Sequence, residues 1–240
     1  MIPNFTTLSP EWTIPNVKAF TVLAKDLDSS LVSFSHQNEL SKECRQKLEE
    51  LLQPAFPINW LWQVHGNRLV ELPFGNNERV EADGCFTSSQ RTVCAVITAD
   101  CLPVVFSNQS GTRVGVAHAG RKGLQSDILS ELIQMFDDPA EQIYAWIGPG
   151  IAGESYPVSS EIREEVLALS LAYEKVFTKV EKDNYLMDLY EVARMQLLNQ
   201  GILKSHISGA AWDTFTDSRF HSARRDKDQS GRMATVVWME

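Results

Sequence analysis

The chain has 240 residues, 43% of them hydrophobic and 22% charged, which is typical of a soluble globular protein with one sizeable core. Its formal net charge of -9 disfavours a nucleic-acid partner, because phosphate backbones require neutralisation by Lys and Arg. No apolar run is long enough to cross a bilayer, and the N-terminus lacks the regions of a signal peptide. We therefore expect a cytoplasmic protein with no membrane partner.

The predicted elements follow from hydrophobic periodicity and from turn residues. In chain order they are a helix over 41–52 with Ser41 as its N-cap, strands over 60–65 and 68–72, a turn at 75–77, strands over 91–99, 102–107 and 113–117, a helix over 126–136, a strand over 142–147, helices over 159–171 and 187–200, and a strand over 233–239. This alternation predicts an α/β fold, a single layered domain over residues 1–240 with a mixed β-sheet flanked by helices.

The segment ITADCLPVVF (Ile97–Phe106) has the composition of a buried strand, but it contains Asp100 and Cys101. Burying a carboxylate beside a thiol costs free energy unless each group has a partner. The four cysteines of the chain lack zinc-ribbon spacing, and a reducing cytosol argues against disulfides. A partner of another kind is therefore expected for this pair.

Three short stretches each end a strand-like run with a side chain that can bind a metal. They are WQVHGN with His65, TADCLP with Cys101 and VAHAGRKG with His118. Two imidazoles and a thiolate form a known ligand set for catalytic zinc, and they also suit copper. Asp100 would then orient a ligand or a nearby donor. On spacing alone the alternative stays open, because single histidines at strand ends and cytosolic cysteines usually serve packing.

Two further stretches carry cations. HAGRKGLQ places Arg121 and Lys122 between glycines before a predicted helix, which suits an anion, although a solvated basic turn is commoner. FHSARRDKDQSGRM adds Arg224, Arg225 and Arg232 near the C-terminus, or is a mixed-charge surface loop. A bare Cys101 nucleophile, paired with a histidine and oriented by an acid, is a competing enzymatic interpretation.

In order along most of the chain, the sequence resembles the YfiH family, also called laccase-domain or multicopper polyphenol oxidase-like proteins. The stretches that carry the resemblance are QVHGNRLV, EADGCFTS, VITADCLPVVF, GVAHAGRKG, WIGPGIAGESYPV and FHSARRDKDQSGRMATVVW. The resemblance implies a single α/β domain with a His-Cys-His metal site at a pocket, which falls on His65, Cys101 and His118. It also implies purine nucleoside phosphorolysis, including that of methylthioadenosine, and adenosine deamination.

Several positions depart from the family pattern. FTVLAKDLDSS replaces an N-terminal Thr-Thr-Arg and Gly-Gly signature, and Arg121-Lys122 replaces Trp-Arg. Ser155-Tyr156-Pro157 replaces Cys-Tyr-Glu, and Asp213-Thr214 replaces Cys-Thr. The metal ligands are intact while the rim is altered, so we expect metal binding with an activity that is weakened, narrowed or redirected.

The leading hypothesis is therefore a zinc-dependent purine nucleoside phosphorylase acting on adenosine, inosine and methylthioadenosine, with adenosine deaminase activity. The candidate catalytic residues are His65, Cys101, His118 and Asp100, and the candidate substrate or phosphate ligands are Gln63, Arg121, Lys122 and Arg225. The partners would be a purine nucleoside and phosphate, and the protein a monomer or weak homodimer.

The alternatives are a copper-dependent polyphenol oxidase, a cysteine hydrolase or peptidoglycan-precursor editing enzyme, and a metal-holding module without turnover. The copper alternative ranks lower, because laccase chemistry needs several coppers and the chain has five histidines.

Overall fold

The computed structural model describes residues 5–26, 33–34, 39–52, 58–73, 80–209 and 212–240. The predicted turn at 75–77 and residues 27–30 of the altered N-terminal segment lie outside this part of the chain. The strands are β1 (Phe5–Leu8), β2 (Val17–Asp26), β3 (Leu69–Glu71), β4 (Gly84–Thr87), β5 (Cys94–Thr98), β6 (Leu102–Asn108), β7 (Val114–Ala119), β8 (Ile143–Ile147), β9 (Pro157–Ser159), β10 (Phe177–Glu181), β11 (Asn184–Met187), β12 (Ile207–Gly209) and β13 (Met233–Met239). The α-helices are α1 (Glu39–Leu51), α2 (Arg121–Gln125), α3 (Ile128–Gln134), α4 (Ser160–Leu169), α5 (Leu189–Asn199) and α6 (Ala223–Asp226).

A six-stranded sheet in the order β12-β8-β6-β7-β4-β3 forms the centre of the fold. Its inner pairs are antiparallel, while the two edge pairs, β12 with β8 and β3 with β4, are parallel. Every residue of β6 and β7 is buried, as expected for strands covered on both faces. The mixed sheet and the α/β class predicted from the sequence are confirmed.

The two faces of this sheet pack against different partners. Val104 and Phe106 of β6 contact a core shared with α3 and α5. Val105, from the other face, packs with Val96 of β5 and Val237 of β13. The strands β5 and β13 belong to a second, antiparallel sheet in the order β1-β2-β13-β5. The result is a layered arrangement in which one sheet lies against helices and the other sheet.

The outer face of the four-stranded sheet is covered by α1. Phe20, Val22 and Val236 point to this side and share a core cluster with Cys44 and Leu48 of the helix. A small third sheet in the order β10-β11-β9 lies beside α4. Within the described part of the chain, no helix is long and apolar enough to span a membrane.

Several predicted elements are corrected by the structure. The composition of Ile97–Phe106 is that of one buried strand, but the segment is divided as the strands predicted over 91–99 and 102–107 require, with β5 ending at Thr98 and β6 beginning at Leu102 in a different sheet. The predicted strand over 60–65 is wrong, since only an isolated bridge at Trp62 forms there. The predicted N-cap Ser41 lies inside α1, which already begins at Glu39. The helix predicted over 126–136 is preceded by α2, which starts directly after Gly120.

Candidate functional site

His65, Cys101 and His118 come from three separate segments and meet at one end of the six-stranded sheet. Their ligand atoms all lie within 4.8 Å of one another. The two imidazole rings are 4.7 Å apart between centroids and are inclined at 78°. We call these three residues the metal cluster, because this is a group of side chains that can hold one ion.

The carboxylate of Asp83 positions both histidines. Its Oδ1 lies 2.9 Å from Nδ1 of His118, and it also accepts the backbone N–H of His65 at 2.8 Å. Its Oδ2 accepts the backbone N–H of Gly66 at 2.7 Å, which fixes the bend in which His65 has a left-handed φ of 62°. Because Nδ1 of His118 is engaged, Nε2 is the nitrogen left for a ligand.

Asp83 is fully buried, and its ionisation depends on these contacts. Burial alone would raise its pKa, but hydrogen bonds from His118, Gly66 and His65 and the charge of His118 lower the pKa below the usual value. The sequence analysis missed this residue. It lies within EADGCF, a stretch that carried the family resemblance but was not singled out as a site.

Cys101 lies in the bend where the chain leaves β5 and enters β6. The preceding Asp100 has a left-handed φ of 81°, and its backbone carbonyl accepts the N–H of Ile151 at 2.8 Å. The backbone of Gly120 passes so close that a Cβ there would lie 2.6 Å from Sγ of Cys101. The glycine of HAGRKG is therefore required by the close approach of β7 to this sulfur.

The pKa values of Cys101 and His118 in the metal cluster depend on each other. Burial would raise the pKa of Cys101, but the charge of His118 and hydrogen bonds from both histidines lower it to about 6. Burial would lower the pKa of His118, but the Cys101 thiolate and Asp83 raise it to about 9. Each group therefore favours the charged form of the other, and a bound cation would stabilise the thiolate in the same way.

The donor set fits zinc. Bonds of about 2.0–2.3 Å place tetrahedral ligand atoms roughly 3.3–3.8 Å apart, so small side-chain movements would close the observed cluster onto an ion. The Asp83–His118 hydrogen bond is the usual outer support of a metal-bound imidazole. The cluster also faces open space, because all three residues line a cavity of about 600 Å³.

The cavity has one apolar wall and one cationic wall. Trp62, which is 37% exposed, and Ile97 contribute apolar surface. Lys227 and Arg232, which we call the cationic wall, come from the C-terminal segment, and Asp228 of the same segment also lines the cavity. The volume lies within the range of about 300–1,000 Å³ that is usual for small-molecule sites.

Asp100, predicted as catalytic, does not line the cavity but holds the segment that does. Its Oδ1 accepts the hydroxyl of Thr214 at 2.7 Å and its Oδ2 accepts the backbone N–H of Arg224 at 2.6 Å. These contacts fix the start of α6, whose first residue, Ala223, lines the cavity. Asp100 is thus placed as a positioning residue.

Of the predicted substrate or phosphate ligands, only Gln63 lines the cavity. Its amide nitrogen donates to the carbonyl of Ile97 at 2.8 Å, and its amide oxygen accepts the N–H of Ile97 at 2.7 Å. Arg225 donates to the carbonyls of Thr214, Phe215 and Phe220 and pairs with Asp226. Arg121 bonds to Gln125 and Glu165, and Lys122 is exposed outside the cavity lining. The cations that line the cavity are Lys227 and Arg232 of the C-terminal motif.

Two of the departures from the family pattern contact each other. The hydroxyl of Ser155 donates to Oδ2 of Asp213 at 2.6 Å, and Oδ1 of Asp213 accepts the backbone N–H of Ala152 at 3.1 Å. The next residue, Thr214, is the one that Asp100 holds. Two of the altered positions, Ser155 and Asp213, are therefore hydrogen-bonded to each other.

Comparison with known proteins agrees with this arrangement. Residues 27–240 match the family model described as multi-copper polyphenol oxidoreductase laccase. The chain belongs to this family.

A protein of Escherichia coli K12 named purine nucleoside phosphorylase YfiH is 41% identical over 187 residues, which cover 78% of this chain and 75% of that protein. A purine nucleoside phosphorylase of Haemophilus influenzae is 35% identical, covering 97% of this chain and 99% of its own length. The crystal structure of a Neisseria meningitidis protein superposes with a TM-score of 0.88 at 27% identity, covering 99% of both chains. YlmD of Geobacillus stearothermophilus gives 0.83 at 26% identity, covering 94% of this chain and 92% of its own.

Proposed function

We propose that the protein is a zinc-dependent purine nucleoside phosphorylase that acts on adenosine, inosine and methylthioadenosine in the cavity beside the metal cluster. The observation that carries the proposal is the convergence of His65, Cys101 and His118 at the wall of a nucleoside-sized cavity. The Escherichia coli and Haemophilus influenzae relatives are both named purine nucleoside phosphorylases, and these names supply the reaction class.

The balanced reaction needs two substrates in one cavity. The bond between C1′ of the ribose and N9 of the purine breaks, and its electron pair goes to the purine, which takes up a proton. A phosphate oxygen forms the new bond to C1′, and dihydrogen phosphate releases the proton that the purine takes up. The products are a free purine base and ribose 1-phosphate, or 5-methylthioribose 1-phosphate when the substrate is methylthioadenosine. Bound zinc would supply Lewis-acid polarisation and an activated water at its open coordination position.

The chain's own residues have separate tasks in this reaction. The indole of Trp62 offers an apolar surface for a purine ring, since it lines the cavity and is partly exposed. Asp83 holds Nδ1 of His118, so that Nε2 keeps its direction throughout turnover. The bonds of Asp100 to Thr214 and Arg224 keep the C-terminal segment closed over the cavity. Positioning of both substrates is the main contribution expected from these groups.

Zinc is proposed in preference to copper on the donor set. Laccase-type oxidation uses several coppers, whereas the described residues contain one cluster of metal-binding side chains, with two histidines. Elemental analysis of protein produced without added metal tests this choice. Stoichiometric zinc is expected, and stoichiometric copper without zinc would refute it.

The decisive variant is His118→Ala, with His206→Ala as the matched control, because His206 stacks on Tyr144 away from the metal cluster. We expect His118→Ala to lose bound zinc together with phosphate-dependent release of hypoxanthine from inosine. The His206→Ala protein should keep both. Turnover that persists in zinc-free His118→Ala would contradict the mechanism.

Adenosine deamination in the same cavity is part of the proposal and is distinguished by its products. It releases ammonia and inosine and needs no phosphate, whereas phosphorolysis releases adenine and needs it. Assaying adenosine with and without phosphate separates the two activities.

One observation favours a second candidate, a cysteine hydrolase. The pKa of Cys101 is lowered to about 6 beside His118, which is the state of a reactive thiolate. A thiolate held by zinc is not free to attack a substrate, so the two candidates exclude each other. Full activity in the presence of a strong chelator, abolished by a thiol alkylator, would favour the hydrolase.

A further inference from the structure

We propose that Thr98, Lys227 and Arg232 form the subsite that binds the attacking inorganic phosphate. This assignment rests on the proposed phosphorolysis and replaces the cations of the HAGRKG motif as the phosphate ligands. All three side chains line the cavity that contains the metal cluster.

Thr98 is the least expected member. It is 1% exposed, and its Oγ1 has no hydrogen-bond partner among the described residues. A buried hydroxyl without a partner destabilises the folded protein, so such a group is expected where a ligand supplies the missing hydrogen bond. The hydroxyl lies on the last residue of β5, at the point where the strand reaches the cavity.

The register of the sheet places the backbone of Arg232 near that of Thr98. Met233 is the cross-strand partner of Thr98 in the β13–β5 pair, so Arg232 lies one residue beyond that partner. The guanidinium is oriented by its own loop, because Nη1 donates to the carbonyls of Ser230 and Gly231 at 3.1 and 2.8 Å. The backbone is fixed by Ser33, whose hydroxyl accepts the Arg232 N–H at 3.1 Å.

The two cations have no carboxylate within ion-pair distance in the described part of the chain. Arg121 and Arg225, by contrast, are already paired with Glu165 and Asp226. Lys227 is exposed and has a left-handed φ of 49°, a strained conformation for a residue with a side chain. Free cations at a cavity wall, one of them a forked guanidinium, are the groups that recognise a phosphate dianion.

Asp228 also lines the cavity and carries the opposite charge. It would repel phosphate at close range, so its carboxylate suits the ribose hydroxyls, which donate hydrogen bonds.

The test compares the KM for phosphate with the KM for inosine in Arg232→Lys, Arg232→Ala, Lys227→Ala and Thr98→Val. Loss of one charged contact should raise the KM for phosphate about tenfold or more and leave the KM for inosine nearly unchanged. Lys179→Ala is the control, because it removes the same charge from an exposed position on β10. Arg232→Lys keeps the charge if the alanine variant fails to fold.

Thr98→Val gives a readout that a structural role would not produce. Valine fills the same space without the unsatisfied hydroxyl, so the variant should be as stable as the parent or more stable, while its KM for phosphate rises several-fold. Loss of stability with an unchanged KM for phosphate would overturn the role of Thr98.

Two other outcomes would overturn the subsite as a whole. In the first, Arg121→Ala or Lys122→Ala raises the KM for phosphate while the Lys227 and Arg232 variants do not. In the second, those two variants change only the binding of inosine 5′-monophosphate, which would assign the cations to a phosphate ester. Calorimetric titration of the zinc-loaded protein with inorganic phosphate measures the subsite directly, so failure of the subsite and failure of phosphorolysis are distinguishable.

Discussion

The metal cluster and the cationic wall face the same cavity but are supported differently. His118 is part of a fully buried strand, and Asp83 ties it to the backbone of His65. Lys227 and Arg232 lie in a loop that depends on a few polar contacts, such as those of Asp100. The comparison indicates that the central sheet and Asp83 hold the metal cluster, while the cationic wall depends on side-chain hydrogen bonds of the C-terminal segment. Changes in these two regions should therefore be separable in experiments.

The largest effect is expected at Asp83. Asp83→Asn removes the charge that supports His118 and half of the acceptor capacity that holds the His65 bend. Loss of such a support typically costs about 10–100-fold in metal affinity or activity. Zinc affinity measured by competition with a chelator should fall accordingly, and turnover should fall with it.

The control for Asp83 is Asp138→Asn, which removes a largely buried carboxylate that bonds Arg113 and Asn108 far from the cavity. This variant should lose some stability but keep its zinc. Equal loss of zinc from both variants would mean that general destabilisation, and not the support of His118, explains the result.

A smaller effect is expected at Asp100. Asp100→Asn retains one acceptor but weakens the bonds to Thr214 and Arg224. Zinc content should stay stoichiometric, while the KM for inosine and for phosphate should both rise about three- to tenfold, because the wall loses its anchor. Steady-state kinetics with metal analysis of the same preparation checks this. A variant that loses zinc would contradict the separation of the two regions.

The smallest effect concerns the altered rim. Hydrogen bonds from Ser155, Ala152 and Thr216 outweigh burial and lower the pKa of Asp213. A carboxyl group whose pKa is lower in the folded protein than in the unfolded chain stabilises the fold. This stabilisation is fully present when the pH is above the unfolded-chain pKa, near 3.8, and is lost as the pH falls through the lower pKa of the folded protein. Asp213→Asn should therefore lose about 1 kcal/mol at neutral pH, with a smaller difference below pH 3. Urea unfolding at both pH values measures this, and a constant difference would contradict it.

The sequence predicted the class of the fold and the identity of the metal cluster, but not what supports them. The positions of α5 and β13 were predicted correctly, because α5 has an apolar helical face and β13 is an almost continuously buried apolar run. The segment around Trp62 was predicted as a strand, since extended apolar backbone looks the same whether or not a partner strand pairs with it. Asp83 was overlooked because its role depends on contacts with residues 17 and 35 positions away, which no local pattern reveals.

The cationic residues show a second limit of prediction from the sequence. Arg121 and Arg225 lie in basic motifs, but each forms an ion pair within the chain, with Glu165 and Asp226 respectively. Arg232 was noted only as one of several arginines, and Thr98 carried no sequence signal at all. Which cations remain available to a ligand depends on pairing in three dimensions, so it could not be inferred from residue type and spacing.

The short bend from Ala99 to Cys101 joins two sheets whose registers are both fixed, since Ile97 faces Ala234 on one side and Leu102 faces Ala119 on the other. An inserted or deleted residue there would shift the thiol by about 3.3 Å, which is more than the length of a zinc–sulfur bond. Neither sheet can accommodate that shift without losing backbone hydrogen bonds between its strands. Over evolutionary time the length of this bend should therefore stay constant.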